Sequence, residues 1–227
     1  LFNKLYQSVR NISIRQKLNL VKKYSQRSSG NLLDYGCGTG SFLHFMKLNG
    51  WHVTGIEPDP SAQKKASELI SQPVFNPDHL KSLESSHFDV VTLWHVLEHV
   101  HDLQSTIADL KRIMKKDSIL IIAVPNHHSW DAKHYKEYWA AYDVPRHLYH
   151  FNPSTMHQLL VRHGFSRKAL KPMWFDAFYV SLLSEKYRHG TIRVFSALII
   201  GFISNIKAII KPGTCSSQIF IYQSSDH

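Results

Sequence analysis

Hydrophobic positions in this chain alternate between two spacings. From Leu5 to Tyr24 the apolar residues Leu5, Val9, Ile12, Leu18, Leu20 and Val21 recur among basic ones with no Gly or Pro, which predicts a helix with a polar face. Ser28, Ser29 and Gly30 end it. A short apolar run, Asn31 to Tyr35, then meets a glycine cluster, and Ser41 to Asn49 follows with helical spacing and Gly50 placed to cap its end. The same succession recurs as strand His52 to Ile56, helix Ser61 to Ser71 opened by Pro60, strand Phe88 to Leu93, helix Leu103 to Met114, and strand Ser118 to Val124 closed by Pro125. Around Val74, Phe75 and Asn76, Pro73 and Pro77 leave room for only a very short strand. Strands alternating with helices predict an α/β fold, a doubly wound and mostly parallel sheet of Rossmann-like type with right-handed crossovers.

Beyond Pro125 the rhythm breaks. Residues His127 to His150 are aromatic and His-rich with no clear period, which predicts a long ordered loop of the kind that carries function. Asn152 or Ser154 caps a helix ending at Gly164, and Phe165 to Pro172 is a candidate strand. Two apolar helical patterns follow, Ala177 to Tyr187 and Thr191 to Ile210, before a last strand, Ser217 to Tyr222. That makes seven strands, the last expected as an antiparallel edge closing the sheet, with a helical insertion before it. Val194 to Ile206 is a run of 13 residues without a charge, bounded by Arg193 and Lys207. It falls short of the ~20 residues of a membrane span, so burial is the first expectation and peripheral membrane contact through 191–210 the second.

The chemistry is concentrated where the first strand ends. Leu32-Leu-Asp-Tyr-Gly-Cys-Gly-Thr-Gly-Ser41 carries Gly36, Gly38 and Gly40, which permit a sharp turn and let a ligand lie on the backbone beside a helix N-terminus. Glu57 ends the next strand, 21 residues after Gly36, where a carboxylate can accept hydrogen bonds from both hydroxyls of a ribose. The spacing is G-x-G-x-G, with Ser41 where a dinucleotide fingerprint needs its third glycine, and no G-K-[ST] occurs. A cofactor with a ribose and no pyrophosphate remains.

At these residues the chain resembles the class I S-adenosylmethionine-dependent methyltransferases. Their first motif is similar to Leu33-Asp34-Tyr35-Gly36-Cys37-Gly38-Thr39-Gly40 and their second to Gly55-Ile56-Glu57-Pro58-Asp59, within a resemblance running from about Asn31 to Gly164. The resemblance implies S-adenosyl-L-methionine as cofactor. It places the glycine turn with Asp34 and Tyr35 along the methionine part and Glu57 with Pro58 at the ribose. Asp78, after the third strand, would reach the adenine amine, and Trp94 and His95 would sit beside adenine or sulfonium. A Trp face near a sulfonium makes sense as a cation–π contact, with core packing as the structural alternative. The whole chain, 1–227, is then expected as one methyltransferase domain: a helical cover over 1–30, a cofactor-binding core over 31–125, a substrate-side loop over 126–152 and an apolar helical insertion over 176–211.

Methyl transfer from a sulfonium is a direct displacement that needs alignment and exclusion of water, and for an oxygen acceptor a general base. His95, His99, His127, His128, Asp143, His147 and His150 are the candidates, with His95, Asp143 and His147 foremost. The loop Tyr142-Asp-Val-Pro-Arg-His-Leu-Tyr-His-Phe151 resembles a segment of bacterial methyltransferases acting in surface-polysaccharide and secondary-metabolite pathways. There Arg146 can pair with a carboxylate or phosphate of the acceptor, and His150 can contribute a hydrogen bond. The alternative is an internal Asp143–Arg146 salt bridge that pins the loop. His95-Val-Leu-Glu-His99 also matches H-x-x-E-H, which on a helix can bind zinc with the glutamate as base. A zinc hydrolase using His95, Glu98 and His99 is therefore the competing function, and a non-catalytic cofactor-binding module the third. Quinol O-methyltransferases of ubiquinone synthesis show a similar stretch with Glu at the position of His95 and use a divalent metal. The change to His weakens that likeness, so no metal is assigned.

The composition adds little beyond this. With 27 Lys and Arg against 17 Asp and Glu the net charge is +10, which first suggests an acidic partner. Nucleic acid is disfavoured: base-amino methyltransferases carry Asn or Asp before Pro-Pro-Tyr or Pro-Pro-Phe after the fourth strand, where this chain has Thr92-Leu-Trp-His95, and neither Cys37 nor Cys215 follows a proline as a cytosine C5 nucleophile would. An O-directed enzyme on a small, sugar-linked or lipid-linked acceptor is the resulting expectation. Two cysteines outside C-x-x-C spacing suit a reducing, cytoplasmic compartment, with the inner membrane surface as a peripheral station. No signal-peptide pattern is evident, and the chain opens on Leu1 as a fragment would. Eight of the 16 histidines fall between His95 and His150, around the expected mouth of the site.

Overall fold

Strands β1 (Gly30–Tyr35), β2 (Trp51–Ile56), β3 (Val74–Phe75), β4 (Phe88–Trp94), β5 (Met114–Pro125), β6 (Phe165–Pro172) and β7 (Ser217–Ser224) make one sheet in the order β3-β2-β1-β4-β5-β7-β6. They are seen in a computed structural model that describes residues 2–225. β1 runs parallel to β2, in the register Gly30 to Trp51 through Tyr35 to Ile56, and to β4, and β2 runs parallel to β3. β4 (Phe88-Asp-Val-Val-Thr-Leu-Trp94) is buried along its whole length, and its two polar residues, Asp89 and Thr92, are both hydrogen-bonded.

β7 departs from the expected edge position. Asn126, just past β5, donates its backbone N–H to Ser216 O at 2.8 Å, while Gln223 at the far end of β7 donates to Asp117 Oδ1 near the start of β5 at 2.9 Å. β7 thus runs antiparallel to β5, between it and β6, and β6 holds the edge. The near-complete burial of Ser217–Ser224 accounts for this, whereas Phe165–Pro172 exposes Ser166, Arg167 and Lys168, the charged character of an edge strand.

The described residues divide into two compact units. The first holds the chain up to Leu93 with Ala108–Ile121 and the end of β7 from Gln223. In it α1 (Phe2–Ser25) buries Leu18 and Val21 and meets the head of α2 (Ser41–Leu48), where the Arg10 guanidinium donates to Ser41 Oγ and Lys17 Nζ lies 5.7 Å from the centre of the Phe42 ring. α3 (Pro60–Ile70) starts on Asp59, whose side chain accepts from the Ala62 amide at 2.7 Å. Asp89 ties the strand feet together, accepting from the Asn31 amide at 2.8 Å and from Lys115 Nζ at 3.0 Å.

The second unit comprises Trp94–Ile107 and Ile122–Tyr222, so that α4 (Leu103–Ile113) is divided between the two. Part of the expected periodless loop is helical: α5 (Trp130–Tyr135) is followed by 3-10 turns at Lys136–Tyr138 and Ala140–Tyr142. Six residues are too few to show a period, but Ser129 caps α5 by accepting from the Ala132 amide at 3.1 Å. α6 (Pro153–Arg162) opens on Asn152 with a capping box closed by Thr155. α7 (Asp176–His189) and α8 (Val194–Ile210) form the insertion and pack antiparallel, since Phe178 touches Gly201 while Glu185 meets Ser196. Small residues dominate their buried faces: Ala177, Ser181 and Ser184 on α7, and Ala197, Gly201, Ser204 and Ala208 on α8. A Cβ on Gly201 would lie 2.7 Å from the Phe178 ring, so the close approach requires glycine.

Candidate functional site

In the first unit the glycine turn is fixed from below. Both the Gly36 and Cys37 amides donate to Ile56 O, at 2.7 and 3.0 Å, which folds the chain back onto the end of β2. Gly36, Gly38 and Gly40 have φ of 78°, 56° and 79°, the left-handed region that side chains resist. At Gly40 a Cβ would sit 2.9 Å from Ala66 Cα on α3, whereas at Gly38 it would meet nothing within 4 Å. Gly40 is therefore needed for packing, and Gly38 leaves open space over its backbone. Glu57 is buried, and its two oxygens accept from the Gly38 amide at 2.7 Å and the Asp59 amide at 3.0 Å. The backbone thus orients the carboxylate, while each oxygen keeps a lone pair for a ligand hydroxyl.

Asp34 and Tyr35, at the end of β1, are buried. Asp34 accepts from the Thr92 hydroxyl at 2.6 Å. Burial pushes its pKa up to about 7, against the Thr92 hydrogen bond and Lys17 and with the help of Glu57. Pro58 and Asp78 are exposed, Asp78 lying in a 3-10 turn that Asn76 caps directly after β3. The Glu57 amide donates to Phe75 O at 2.8 Å, so β3, despite its two residues, brings that turn to the end of β2.

The second unit gathers the histidines. Trp94 ends β4 and is buried. His95 takes a positive φ of 58°, its amide bonded to Ala123 O at 2.8 Å, so the chain turns sharply on leaving the strand. Its Nε2 lies 2.8 Å from Asp176 Oδ2 at the start of α7 and its Nδ1 3.5 Å from Glu98 Oε1. Burial pulls the imidazole pKa down, but the Asp176 and Glu98 carboxylates outweigh it and hold the ring as a cation, with its pKa raised to about 10.

The 3-10 turn Leu97–His99 receives the substrate-side loop, because the Leu148 and Tyr149 amides donate to Glu98 O at 2.8 and 3.3 Å. His99 Nδ1 lies 3.0 Å from Arg146 O, and the His99 and His147 rings meet edge to face at 4.7 Å. His147 Nδ1 is 2.9 Å from Ala141 O and burial lowers its pKa, so the ring is neutral with the proton on Nδ1 and a free lone pair on Nε2. Asp143 pairs with the exposed Arg146 guanidinium at 2.6 Å, the internal bridge weighed from sequence, and its Oδ2 lies 3.8 Å from His147 Nε2. His150 Nε2 faces Tyr142 O at 3.0 Å. The His127 and His128 rings lie 4.3 Å apart, tilted by 54°, with His127 also 3.3 Å from the Asn152 side chain.

The zinc grouping predicted from H-x-x-E-H is altered. The ring nitrogens of His95 face carboxylates, and among the described residues the group able to hold a cation is Glu98, His99 and His147, whose ligand atoms lie within 4.8 Å of one another. Glu98 is 1% exposed and neither carboxylate oxygen has a hydrogen-bond donor closer than the His95 ring. The residue missed from sequence is Asp176. The only signal for it was its place as the first acid after the acid-free stretch from Val144 to Phe175.

The model of a family described as a methyltransferase domain matches residues 6–168. The chain belongs to the methyltransferase-domain family. Its fold is that of the class I S-adenosylmethionine-dependent methyltransferases. The ubiquinone biosynthesis O-methyltransferase of Pelagibacter ubique is 32% identical to it over 123 residues, 48% of this chain and 50% of that protein. Its counterpart from Rickettsia canadensis is 27% identical over 172 residues, 69% of this chain and 71% of that protein. This methyltransferase-family chain spans about half the length of several of the curated relatives it matches. In three dimensions it is similar to phosphoethanolamine N-methyltransferase 2 of Haemonchus contortus in complex with S-adenosyl-L-methionine, with a TM-score of 0.64 at 16% identity over 93% of this chain and 53% of that one. It is equally similar, at a TM-score of 0.64 and 16% identity over 93% of this chain and 81% of that one, to the [4+2]-cyclase SpnF. The family replaces the zinc-hydrolase alternative.

The residues suit S-adenosylmethionine. A glycine turn with open space above Gly38 and an amide-anchored carboxylate at Glu57 form a cradle that a side chain at Gly38 would fill.

Proposed function

We propose that this chain is an S-adenosylmethionine-dependent methyltransferase acting on oxygen, with a small, sugar-linked or lipid-linked acceptor on the cytoplasmic side and no nucleic-acid substrate. The observation that carries the cofactor assignment is the Glu57 carboxylate, fixed by the Gly38 and Asp59 amides at 2.7 and 3.0 Å. Glu57 would hold the ribose, the Gly36–Gly40 turn with Asp34 and Tyr35 the methionine part, and Pro58, Asp78 and Trp94 the adenine side. When bound, the cofactor supplies an electrophilic methyl group. Oxygen as acceptor atom is supported by the ubiquinone O-methyltransferase relatives over the shared segment.

The general base is assigned to His147. It alone of the three foremost candidates combines a neutral ring with a fixed tautomer, its Nδ1 proton held by Ala141 O and Nε2 left to accept the acceptor's hydroxyl proton. His95 is already a cation between Asp176 and Glu98, so it orients rather than deprotonates. Asp143 faces His147 Nε2 at 3.8 Å and would stabilise the imidazolium once the proton arrives. Arg146 and His150 would contact the acceptor at the loop's outer side.

Calorimetry with S-adenosylmethionine on the wild type and on Glu57→Ala tests the cofactor assignment, and absence of wild-type binding refutes it. Mass spectrometry of labelled-methyl transfer into a native lysate tests the reaction. Cofactor binding with no labelled product would instead identify a non-catalytic binding module.

A further inference from the structure

The α7–α8 hairpin is built with its apolarity reversed. In α8 the small residues Ala197, Gly201, Ser204 and Ala208 are the buried ones, Gly201 against Phe178 of α7 and Ser204 on Asp131 of α5, and most of the large ones turn outward. At 3.6 residues per turn Phe195, Ile199, Phe202, Ile206 and Ile209 fall within about a quarter of the helix circumference, on the side opposite the seam. They are exposed, Phe195 at 79% and Phe202 at 61%, and no described segment covers them. A helix of a soluble core does the opposite. Small residues at the helix contact and large apolar ones outside are the arrangement of helices packed in lipid.

Charge names the occupant. From Lys186 to Ser225 there is no acidic residue, and the hairpin exposes Lys186, Arg188, Arg193, Lys207 and Lys211. The one acid on this part of α7, Glu185, is buried and accepts from Tyr135 and Ser196 hydroxyls at 3.1 and 2.8 Å. No described helix is long and apolar enough to cross a membrane. An apolar stripe flanked by cations alone, on a helix of 17 residues, fits the surface of an anionic bilayer rather than its interior.

We propose that the outer face of α8 is a docking surface for anionic lipid bilayers, with Phe195, Phe202 and Ile209 entering the acyl boundary and Arg193, Lys207 and Lys211 meeting headgroup phosphates. The hairpin also carries Asp176, the partner of His95, so membrane contact and the histidine site share one element. This deepens the proposed lipid-linked acceptor and rests on it only for its use in catalysis, because vesicle binding is read without turnover.

The experiment is vesicle flotation of the full chain, with phosphatidylcholine vesicles and with vesicles containing phosphatidylglycerol. The wild type floats with the anionic vesicles. Phe195→Ser combined with Phe202→Ser lowers partitioning at least about tenfold. Lys207→Ala and Lys211→Ala each lower it about fivefold on anionic vesicles, and raising the salt does the same. Near-ultraviolet circular dichroism stays unchanged, as all four side chains are exposed, and the lysine variants leave the apolar stripe intact as a second test. Wild type that stays with the unbound fraction overturns the proposal, as does undiminished binding by both variant pairs. So does a stable homodimer that the phenylalanine variants dissolve while vesicles remain bare, which would make the face an interface between copies.

Discussion

His95 Nε2 lies 2.8 Å from Asp176 Oδ2, joining the residue that follows β4 to the first residue of α7. Burial alone would make this histidine neutral, but Asp176 and Glu98 raise its pKa from 6.5 to about 10. A histidine whose pKa is higher in the folded than in the unfolded state stabilises fully below its unfolded pKa and loses that contribution as the pH rises through the folded one. The urea midpoint of the wild type should therefore exceed that of Asp176→Asn most at pH 6, and the difference should shrink between pH 7 and 10. A difference constant across that range would remove the ion pair as its cause.

Glu57→Ala is expected to weaken S-adenosylmethionine binding about a hundredfold, the worth of two hydrogen bonds to a charged group, with calorimetry as the measurement. Because the Gly38 amide also loses its acceptor, Glu57→Gln should recover part of the loss.

The two turn glycines should separate. Gly40→Ala meets Ala66 at 2.9 Å as well as a left-handed backbone, and should cost roughly 2–4 kcal/mol in denaturant unfolding. Gly38→Ala meets open space and should cost about 1–2 kcal/mol, yet abolish cofactor binding by filling the cradle.

Asp34 opposes folding above its unfolded pKa. Burial raises its pKa to about 7, so the folded state retains a proton that the unfolded chain releases from about pH 4 upward. Asp34→Asn keeps an acceptor for Thr92 and should be more stable than the wild type by roughly 1–3 kcal/mol at pH 8, with the gain vanishing towards pH 4. Urea titrations at the two pH values measure it.

Asp131 is fully buried and accepts from Trp139 Nε1, Ser204 Oγ and Ser216 Oγ, each at 2.7 Å. Those three bonds fasten the 3-10 turns, α8 and the entry to β7 to α5. Asp131→Ala should cost roughly 3–5 kcal/mol by leaving three buried donors unpaired. A loss under 1 kcal/mol in chemical denaturation would show that water replaces the carboxylate.

Much of this protein was legible in the chain because the features are local. The G-x-G-x-G turn, Glu57 at the end of the second strand and the Asn152 cap are each set by residues within a few positions, where backbone conformation and strand ends leave little freedom. The alternation of strands and helices likewise follows from short-range spacing. Even the apolar run in α8 was visible, although its exposure was not: periodicity reports that one face is apolar and says nothing about what covers it. The short helix α5 escaped because six residues show no period.

What the tertiary structure decided are relations between distant segments. β7 lies inside the sheet rather than at its edge because its side chains are buried between β5 and β6, which no one strand's pattern can state. His147 rather than His95 joins Glu98 and His99, because the Leu148 and Tyr149 amides bind Glu98 O and carry the loop there. Asp176 stands beside His95 because α7 begins there. Sequence alone determined where the glycine turn and the Glu57 carboxylate fall, at the ends of β1 and β2. The chain's packing determined which histidine is a cation and which can accept a proton, since a pKa depends on the charges and burial around a group rather than on its neighbours in the chain.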